Sequence, residues 1–337
     1  MKKATSLIIT SIASPNEVLK SCAEGSRENG VRFIVIGDVK SPADFKLDSC
    51  EYYSVEAQEK TDFRLAKLLP YKHYARKNLG YLLAKDSEVI IETDDDNFPR
   101  QDFWSERIRM TGALKLENQG WVNVYRAFSD SYIWPRGFPI EFLQDDMNSG
   151  SDLIIKFRTK GPELMDCPIQ QGLADDNPDV DAIYRMTMKL PVVFGKVEPI
   201  ALAKGSWCPF NSQNTTWFKE AFPLLYLPSY CSFRMTDIWR SFIAQRIAWT
   251  CNWSVLFHSS TVWQERNEHN LLKDFADEVP GYLNNVNICK ALEEADLKSG
   301  VLHIAENLMR CYKIMVSMNL VDEKELKLVD AWLQDIS

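Results

Sequence analysis

Three consecutive aspartates, Asp94, Asp95 and Asp96, follow the apolar run Val89-Ile90-Ile91 and stand just before Pro99. Like charges this close repel one another and raise each other's pKa. A chain tolerates that on a solvated loop or where a cation binds. Mg²⁺ and Mn²⁺ take one or two carboxylates together with the oxygens of a phosphorylated ligand. Asp94 and Asp96 are therefore expected on Mn²⁺ or Mg²⁺, with Asp95 reaching toward a sugar or ribose. A plain acidic turn is the competing reading.

Other residue groups can serve the same ligand. Arg76, Lys77 and Asn78 open the helical pattern "YARKNLGYLLAKD", where guanidinium and ammonium groups suit a phosphate or ribose. Asp38 and Lys40, in "VIGDVKSP", can bond a base or ribose. Asp237 stands at a helix start, where the helix dipole keeps it ionised, and is the candidate general base. Arg240, three residues on, is a further donor contact. Arg136 sits in "PRGFP", whose prolines stiffen the loop while Gly137 lets backbone approach a ligand. Near the end of the pattern, Arg266 is a candidate donor contact and His269 a candidate metal ligand, with His258 as a second histidine candidate. Each has a bland counterpart: a solvated basic face, a capped turn, a plain N-cap, a structural histidine.

Something must hold these groups together. The first hundred residues alternate short β-branched runs ("LIITSIA", "RFIVIGD", "CEYYSVE", "EVIIETDDD") with helical patterns. That alternation predicts an α/β fold with a mostly parallel sheet flanked by helices. Ligands bind such sheets beyond the carboxyl ends of the strands. Asp38 and the triplet fall in those loops. "GWVNVYRAF" and "LPVVFGKVEPIALA" are expected strands, and "QQGLADDNPDVDAIYRMT" a loop. Helices are expected to dominate from about 213, with an N-cap at Thr236 or Asp237 and an Asp322/Glu325 capping box. The expected division is 1–275 (a nucleotide-binding half, 1–100, and an acceptor half, 101–275) followed by a helical extension, 276–337.

The bulk numbers bound the class. With 337 residues and 45% apolar content, the chain can bury a sizeable core. Thirty-nine Lys and Arg against 47 Asp and Glu give a net charge of −8, which argues against a general nucleic-acid binder. Eight scattered cysteines without a CxxC pair fit reduced, buried thiols. "MKKATSLIITSIAS" imitates a signal peptide but suits a first strand better. No run of roughly 20 apolar residues suggests a membrane span. The expectation is a cytoplasmic protein, with peripheral membrane association as the other option.

Taken together, "YARKNLGYLLA…VIIETDDDN", "PRGFP", "QQGLADDNPDVDAIYR", "PFNSQNTTWF" and "LPSYCSFRMTDIWRSFIAQR" resemble the STELLO-type, glycosyltransferase-like family. The blocks run from about 33 to 270. The pattern is more distantly similar to the reversibly glycosylated polypeptides, which include UDP-arabinopyranose mutases. The resemblance implies a GT-A-type fold, a nucleotide-sugar donor (UDP-linked), a divalent metal and a glycan or glycoconjugate acceptor in polysaccharide assembly. Transfer with inversion is expected, with Asp237 as base. The distant relatives carry reversible glycosylation on an arginine of an Arg-Gly-Tyr-Pro element. The matching Arg136-Gly137-Phe138-Pro139 opens a second reading, a mutase acting on the donor alone. A non-catalytic scaffold is the third.

Overall fold

Side chains on a β-strand alternate between its two faces, so a strand apolar throughout must be covered on both. The apolar runs of β1 (Thr5–Thr10), β2 (Arg32–Ile36) and β4 (Val89–Thr93) meet that condition, while the short β3 (Glu51–Tyr53) is partly exposed at the sheet edge. Leu7, Ile9, Phe33, Val35, Val89 and Ile91 point to one face. There they meet Val18, Leu19 and Cys22 of α1 (Glu17–Asn29). Ile8, Ile34, Ile36 and Ile90 point to the other, against Leu79 and Leu82. These two belong to α3 (Lys77–Leu83), which follows the short α2 (Val55–Glu59). The computed structural model describes residues 3–147, 159–265 and 270–337.

The chain continues through β5 (Asn97–Pro99), β6 (Met110–Leu116), β7 (Gly120–Trp121), β8 (Glu163–Asp166) and β9 (Ile169–Asp175). After α4 (Ala182–Thr187) come β10 (Ile200–Leu202), β11 (Ser206–Trp207), β12 (Asn214–Phe218), α5 (Thr236–Thr250) and β13 (Val255–Gln264). The last helices are α6 (Leu271–Glu294), α7 (Ile304–Ser317) and α8 (Glu325–Ile336). The main sheet runs β3-β2-β1-β4-β12-β9-β13-β10-β6-β8, with β5 beside β13. Pairing within β3-β2-β1-β4 is parallel throughout. Beyond β4, antiparallel pairs such as β12–β4 and β12–β9 mix with the parallel pairs β9–β13 and β10–β6.

The expected α/β architecture is present, with several local differences. "GWVNVYRAF" gives only a two-residue strand and then a 3₁₀ turn, Val124–Ala127. In "LPVVFGKVEPIALA" only Ile200–Leu202 is strand. "QQGLADDNPDVDAIYRMT" is no loop: it supplies β9 and α4. Its polar residues Gln170 and Gln171 are buried and hydrogen-bonded, so no apolar run announces the strand. The helix-rich part also contains β12 and the ten-residue β13 at the centre of the sheet.

The two expected caps form differently. Met235 is the N-cap of α5 and makes no side-chain cap bond, while Thr236 and Asp237 are its first helical residues. The Asp322/Glu325 box does not form. Glu325 instead receives the backbone N–H groups of Ser229 and Tyr230 and the Tyr226 hydroxyl, tying α8 to that loop. One helix, α6, crosses the expected boundary at 275/276, and Ile288, Leu308, Val329 and Trp332 share a core with Ile8.

Candidate functional site

Because β1, β2 and β4 are parallel and in register, their carboxyl ends meet at one edge, with Thr10 beside Ile36 and Ile8 beside Glu92. The aspartate triplet leaves β4 at this edge, and three sets of contacts fix it. Lys77, fully buried, donates from Nζ to the Thr93 carbonyl (2.8 Å) and to Asp94 Oδ1 (2.9 Å). The Ser11 hydroxyl donates to Asp95 Oδ2, and the Asn16 amide donates to the Asp95 carbonyl (2.8 Å). Asn16 also caps α1 by accepting from the Leu19 N–H. The Asp96 carbonyl accepts the Glu265 N–H (3.2 Å), which brings the end of β13 to the triplet.

Beneath lies a buried ion pair. Arg240 donates to both oxygens of Glu92 (Nη2–Oε1 2.8 Å, Nη1–Oε2 3.1 Å) and stands over the Trp217 ring. Trp217 Nε1–H and the Tyr81 hydroxyl donate to the same carboxylate. Glu92 stands two residues before Asp94, so this network fastens the end of β4 to α5.

The triplet faces a cavity of about 460 Å³, lined also by Arg136, Asp179, Arg185, Arg234 and Asp237. Burial raises the pKa of all three carboxyls; Lys77 opposes the rise at Asp94 and the Ser11 hydroxyl at Asp95. Asp96 goes highest, to about 7, through burial and then the charge of Asp94. Its Oδ1 is shielded from solvent and has no hydrogen-bond partner. A buried carboxylate oxygen left without a donor is costly, and a cation removes the cost. Among the described residues no three carboxylate, imidazole or thiolate groups converge as a ready cage. Mg²⁺ does not require one, because substrate phosphates and water complete its shell. Asp94 and Asp96 thus fit a hard divalent cation.

Across from these strands, Arg136 lies between two carboxylates. Nε and Nη2 donate to Asp179 (both 2.8 Å). Nη2 also donates to Asp237 (3.0 and 2.9 Å), and Nη1 to the Arg234 carbonyl. Asp237 further accepts the Ser212 N–H (3.2 Å). Burial alone would raise the Asp237 pKa, but the Arg136 charge outweighs it and holds the carboxyl well below the usual range. Each nitrogen of Arg136 donates to at least one protein acceptor, and its two carboxylate partners hold the guanidinium protonated. Gly137 has φ +88, and a Cβ there would lie 2.4 Å from Ile238 Cγ2, so glycine is what lets this loop touch α5.

A second cavity, about 250 Å³, adjoins the first and shares Thr10, Ile12, Tyr74, Asp95 and Phe233 with it. Asp38, Lys40, His73 and Arg76 line it. Asp38 is partly a structural turn, accepting the Val39 and His73 N–H groups (2.7 and 3.0 Å). The His73 Nδ1 accepts the Ala75 N–H (3.1 Å), and burial pushes its pKa down to about 4, so the ring is neutral with its proton on Nε2. Arg76 Nε donates to Gln58 (2.8 Å), while Nη2 is buried without a partner. Phe233, 48% exposed, stands edge-on to His73 and Tyr74 between the two cavities.

The sequence-named residues therefore divide. Asp94, Asp95, Asp96, Arg136 and Asp237 meet at one cavity; Asp38, Lys40 and Arg76 meet at the next. Lys77, Asn78 and Arg240 line neither. Lys77 and Arg240 support the triplet from behind, and Asn78 exchanges two hydrogen bonds with the Leu227 backbone. All three are buried behind the cavity walls, whereas Arg76, equally buried, lines the second cavity. His258 lies half-buried beside Gly172, its pKa pushed to about 3 by desolvation and by Arg107. Arg266 and His269 lie outside the described residues. Asp179, Arg185 and Arg234 also line the main cavity, with little in the sequence to mark them. Asp179 and Arg185 sit in a polar segment with no apolar rhythm, and Arg234 precedes its helix.

The fold and cavity define a class: an α/β architecture with a carboxylate cluster at the strand ends of its parallel half. Residues 234–337 match the family model of the STELLO glycosyltransferases. The chain is 27% identical to the probable glycosyltransferases STELLO2 and STELLO1 of Arabidopsis thaliana, the alignments covering 98% of this chain and 44% of each relative. These matches support a STELLO-type family for the chain, which spans less than half the length of those relatives. A solved glucosyl-3-phosphoglycerate synthase from Mycobacterium tuberculosis, in complex with Mn²⁺ and UDP-glucose, aligns with a TM-score of 0.41 and 10% identity. It covers 85% of this chain and 79% of that one. No helix among the described residues is long and apolar enough to cross a membrane.

Proposed function

We propose that the protein is a metal-dependent glycosyltransferase that moves a sugar from a nucleotide-sugar donor to an acceptor hydroxyl. The observation that carries this reading is the triplet itself: the buried, unpartnered Oδ1 of Asp96 beside Asp94, at the floor of a 460 Å³ cavity. Asp94 and Asp96 would hold Mn²⁺ or Mg²⁺, which would neutralise the donor diphosphate as a leaving group. The adjoining cavity takes the nucleoside, with Phe233 as an apolar wall and the His73 Nε2–H and Arg76 Nη2–H as donors to a base; a uridine nucleotide follows from the STELLO resemblance.

Asp237 accepts the acceptor's proton. The acceptor oxygen bonds the anomeric carbon, the bond from that carbon to the diphosphate oxygen breaks with its electron pair, and the hydroxyl proton passes to the carboxylate. Its pairing with Arg136 makes Asp237 a weak base, so proton transfer trails formation of the new C–O bond. This direct displacement inverts the anomeric centre. The mutase reading loses support because Asp179 and Asp237 hold the Arg136 guanidinium protonated, and a charged guanidinium is a poor nucleophile toward an anomeric carbon.

A thermal-shift screen of nucleoside diphosphates with and without Mn²⁺ tests the proposal, since a ligand that binds only the folded state raises its stability. Stabilisation that needs both nucleotide and cation is expected. No nucleotide-dependent shift would leave a non-catalytic scaffold as the better account.

A further inference from the structure

We infer that the part of the 460 Å³ cavity around Arg185 binds an anionic group, phosphate or carboxylate, carried by the acceptor. This rests on the proposed glycosyl transfer and names the class of its second substrate. Three arginines line the cavity, and two are matched. Arg136 has Asp179 and Asp237. Arg234 donates twice to the buried Glu278 (3.0 and 2.8 Å). Arg185 has no carboxylate partner among the described residues. Its Nη2 donates to the Pro178 carbonyl (2.8 Å), which orients the guanidinium, and its Nε–H is buried without a partner. The three cations against Asp179, Asp237 and Glu278 leave this wall neutral, with one guanidinium unmatched.

A guanidinium in that condition prefers a bidentate oxyanion over water or a neutral hydroxyl. Position separates the acceptor from the donor. The nucleoside cavity joins the main one through Thr10, Ile12, Tyr74, Asp95 and Phe233, and the diphosphate belongs at Asp94 and Asp96. Arg185 lines only the main cavity, as does Asp237, which the attacking hydroxyl must reach. An acceptor whose anion sits on Arg185 brings its hydroxyl to Asp237.

Calorimetry on the full chain, loaded with Mg²⁺ and the nucleoside diphosphate that stabilises it most, tests this with inorganic phosphate and acetate as probes. At least one probe is expected to bind the wild type. Arg185→Gln should weaken that binding tenfold or more, and Arg185→Lys less, while nucleotide affinity stays unchanged. Stronger phosphate binding points to a phosphorylated acceptor, stronger acetate binding to a carboxylated one. Equal probe binding by wild type and Arg185→Gln, or none by either, overturns the inference. A loss of nucleotide affinity in Arg185→Gln reassigns the residue to the donor diphosphate and also overturns it. If no nucleotide binds the wild type, the donor reading fails first and takes this one with it.

Discussion

Arg136 Nη2 donates to both oxygens of Asp237, at 3.0 and 2.9 Å, and so joins the "PRGFP" loop to the first turn of α5 inside the candidate site. The pair is buried, and Asp179 closes its other side. Removing one member leaves the other charge without compensation, which typically costs about 3–5 kcal/mol. Arg136→Ala should therefore lower the urea midpoint sharply at unchanged m-value, and Asp237→Asn less, because the amide keeps its shape. If Asp237 takes the acceptor proton, Asp237→Asn also loses transfer while nucleotide binding by calorimetry persists. Unchanged transfer in that variant removes Asp237 from the role of base.

Asp96→Asn keeps the volume of the side chain but removes a charge from the proposed cation site. Its expected signature is specific: stabilisation by Mn²⁺ disappears. In the wild type that stabilisation approaches roughly 2.7 kcal/mol at a hundredfold excess over Kd. The variant's own melting temperature should not fall, since a raised carboxyl pKa means the charge opposes folding at neutral pH. A Mn²⁺ response equal to that of the wild type would move the cation elsewhere.

Arg240 and Glu92 separate scaffold from ligand contact. Glu92→Gln should cost several kcal/mol in chemical denaturation, because Arg240 then lies buried without its charge partner. Under sub-denaturing conditions the donor KM should change little. A large KM effect at intact stability would put Arg240 back among the donor contacts.

The pH dependence of stability has a definite sign at His258. Its folded-state pKa, near 3, lies below the ordinary histidine value, so the unfolded chain binds the extra proton between about pH 6.5 and 3. Stability from this residue is present above that window and is lost as pH falls through it, at up to roughly 1.4 kcal/mol per pH unit. His258→Gln should flatten the fall in urea midpoint between pH 6 and 4. An unaltered slope would show that the histidine is protonated in the folded protein.

Gly137→Ala tests the close approach of the arginine loop to α5. The positive φ and the 2.4 Å contact to Ile238 Cγ2 oppose any side chain there. A loss of at least about 1 kcal/mol is expected, mostly from backbone strain. A neutral substitution, read by melting temperature, would mean that the loop repacks freely.

The parallel half of the sheet was legible because its code is local. β1, β2 and β4 are apolar on both faces, and α1 carries its own Asn16 cap and Gly30 stop. The triplet's position at the ligand edge follows from that pattern. β9 and β13 are not legible in the sequence because they bury polar groups, Gln170, Gln171 and Thr261 among them, with partners in distant segments. A hydrogen bond across forty residues leaves no periodic trace.

By itself the sequence determined the α/β character, the placement of Asp94–Asp96 after a buried strand, and the STELLO resemblance, since each depends on residue order alone. The tertiary structure decided which charges face a ligand. Lys77, Asn78 and Arg240 read as exposed contacts in the sequence, yet packing turns them inward, where a buried charge needs a partner and finds one in Asp94 or Glu92. Packing likewise set Asp179 and Asp237 on either side of Arg136 and left Arg185 on the cavity wall without a carboxylate. Pairing of charges depends on distance in space, and no spacing along the chain encodes it.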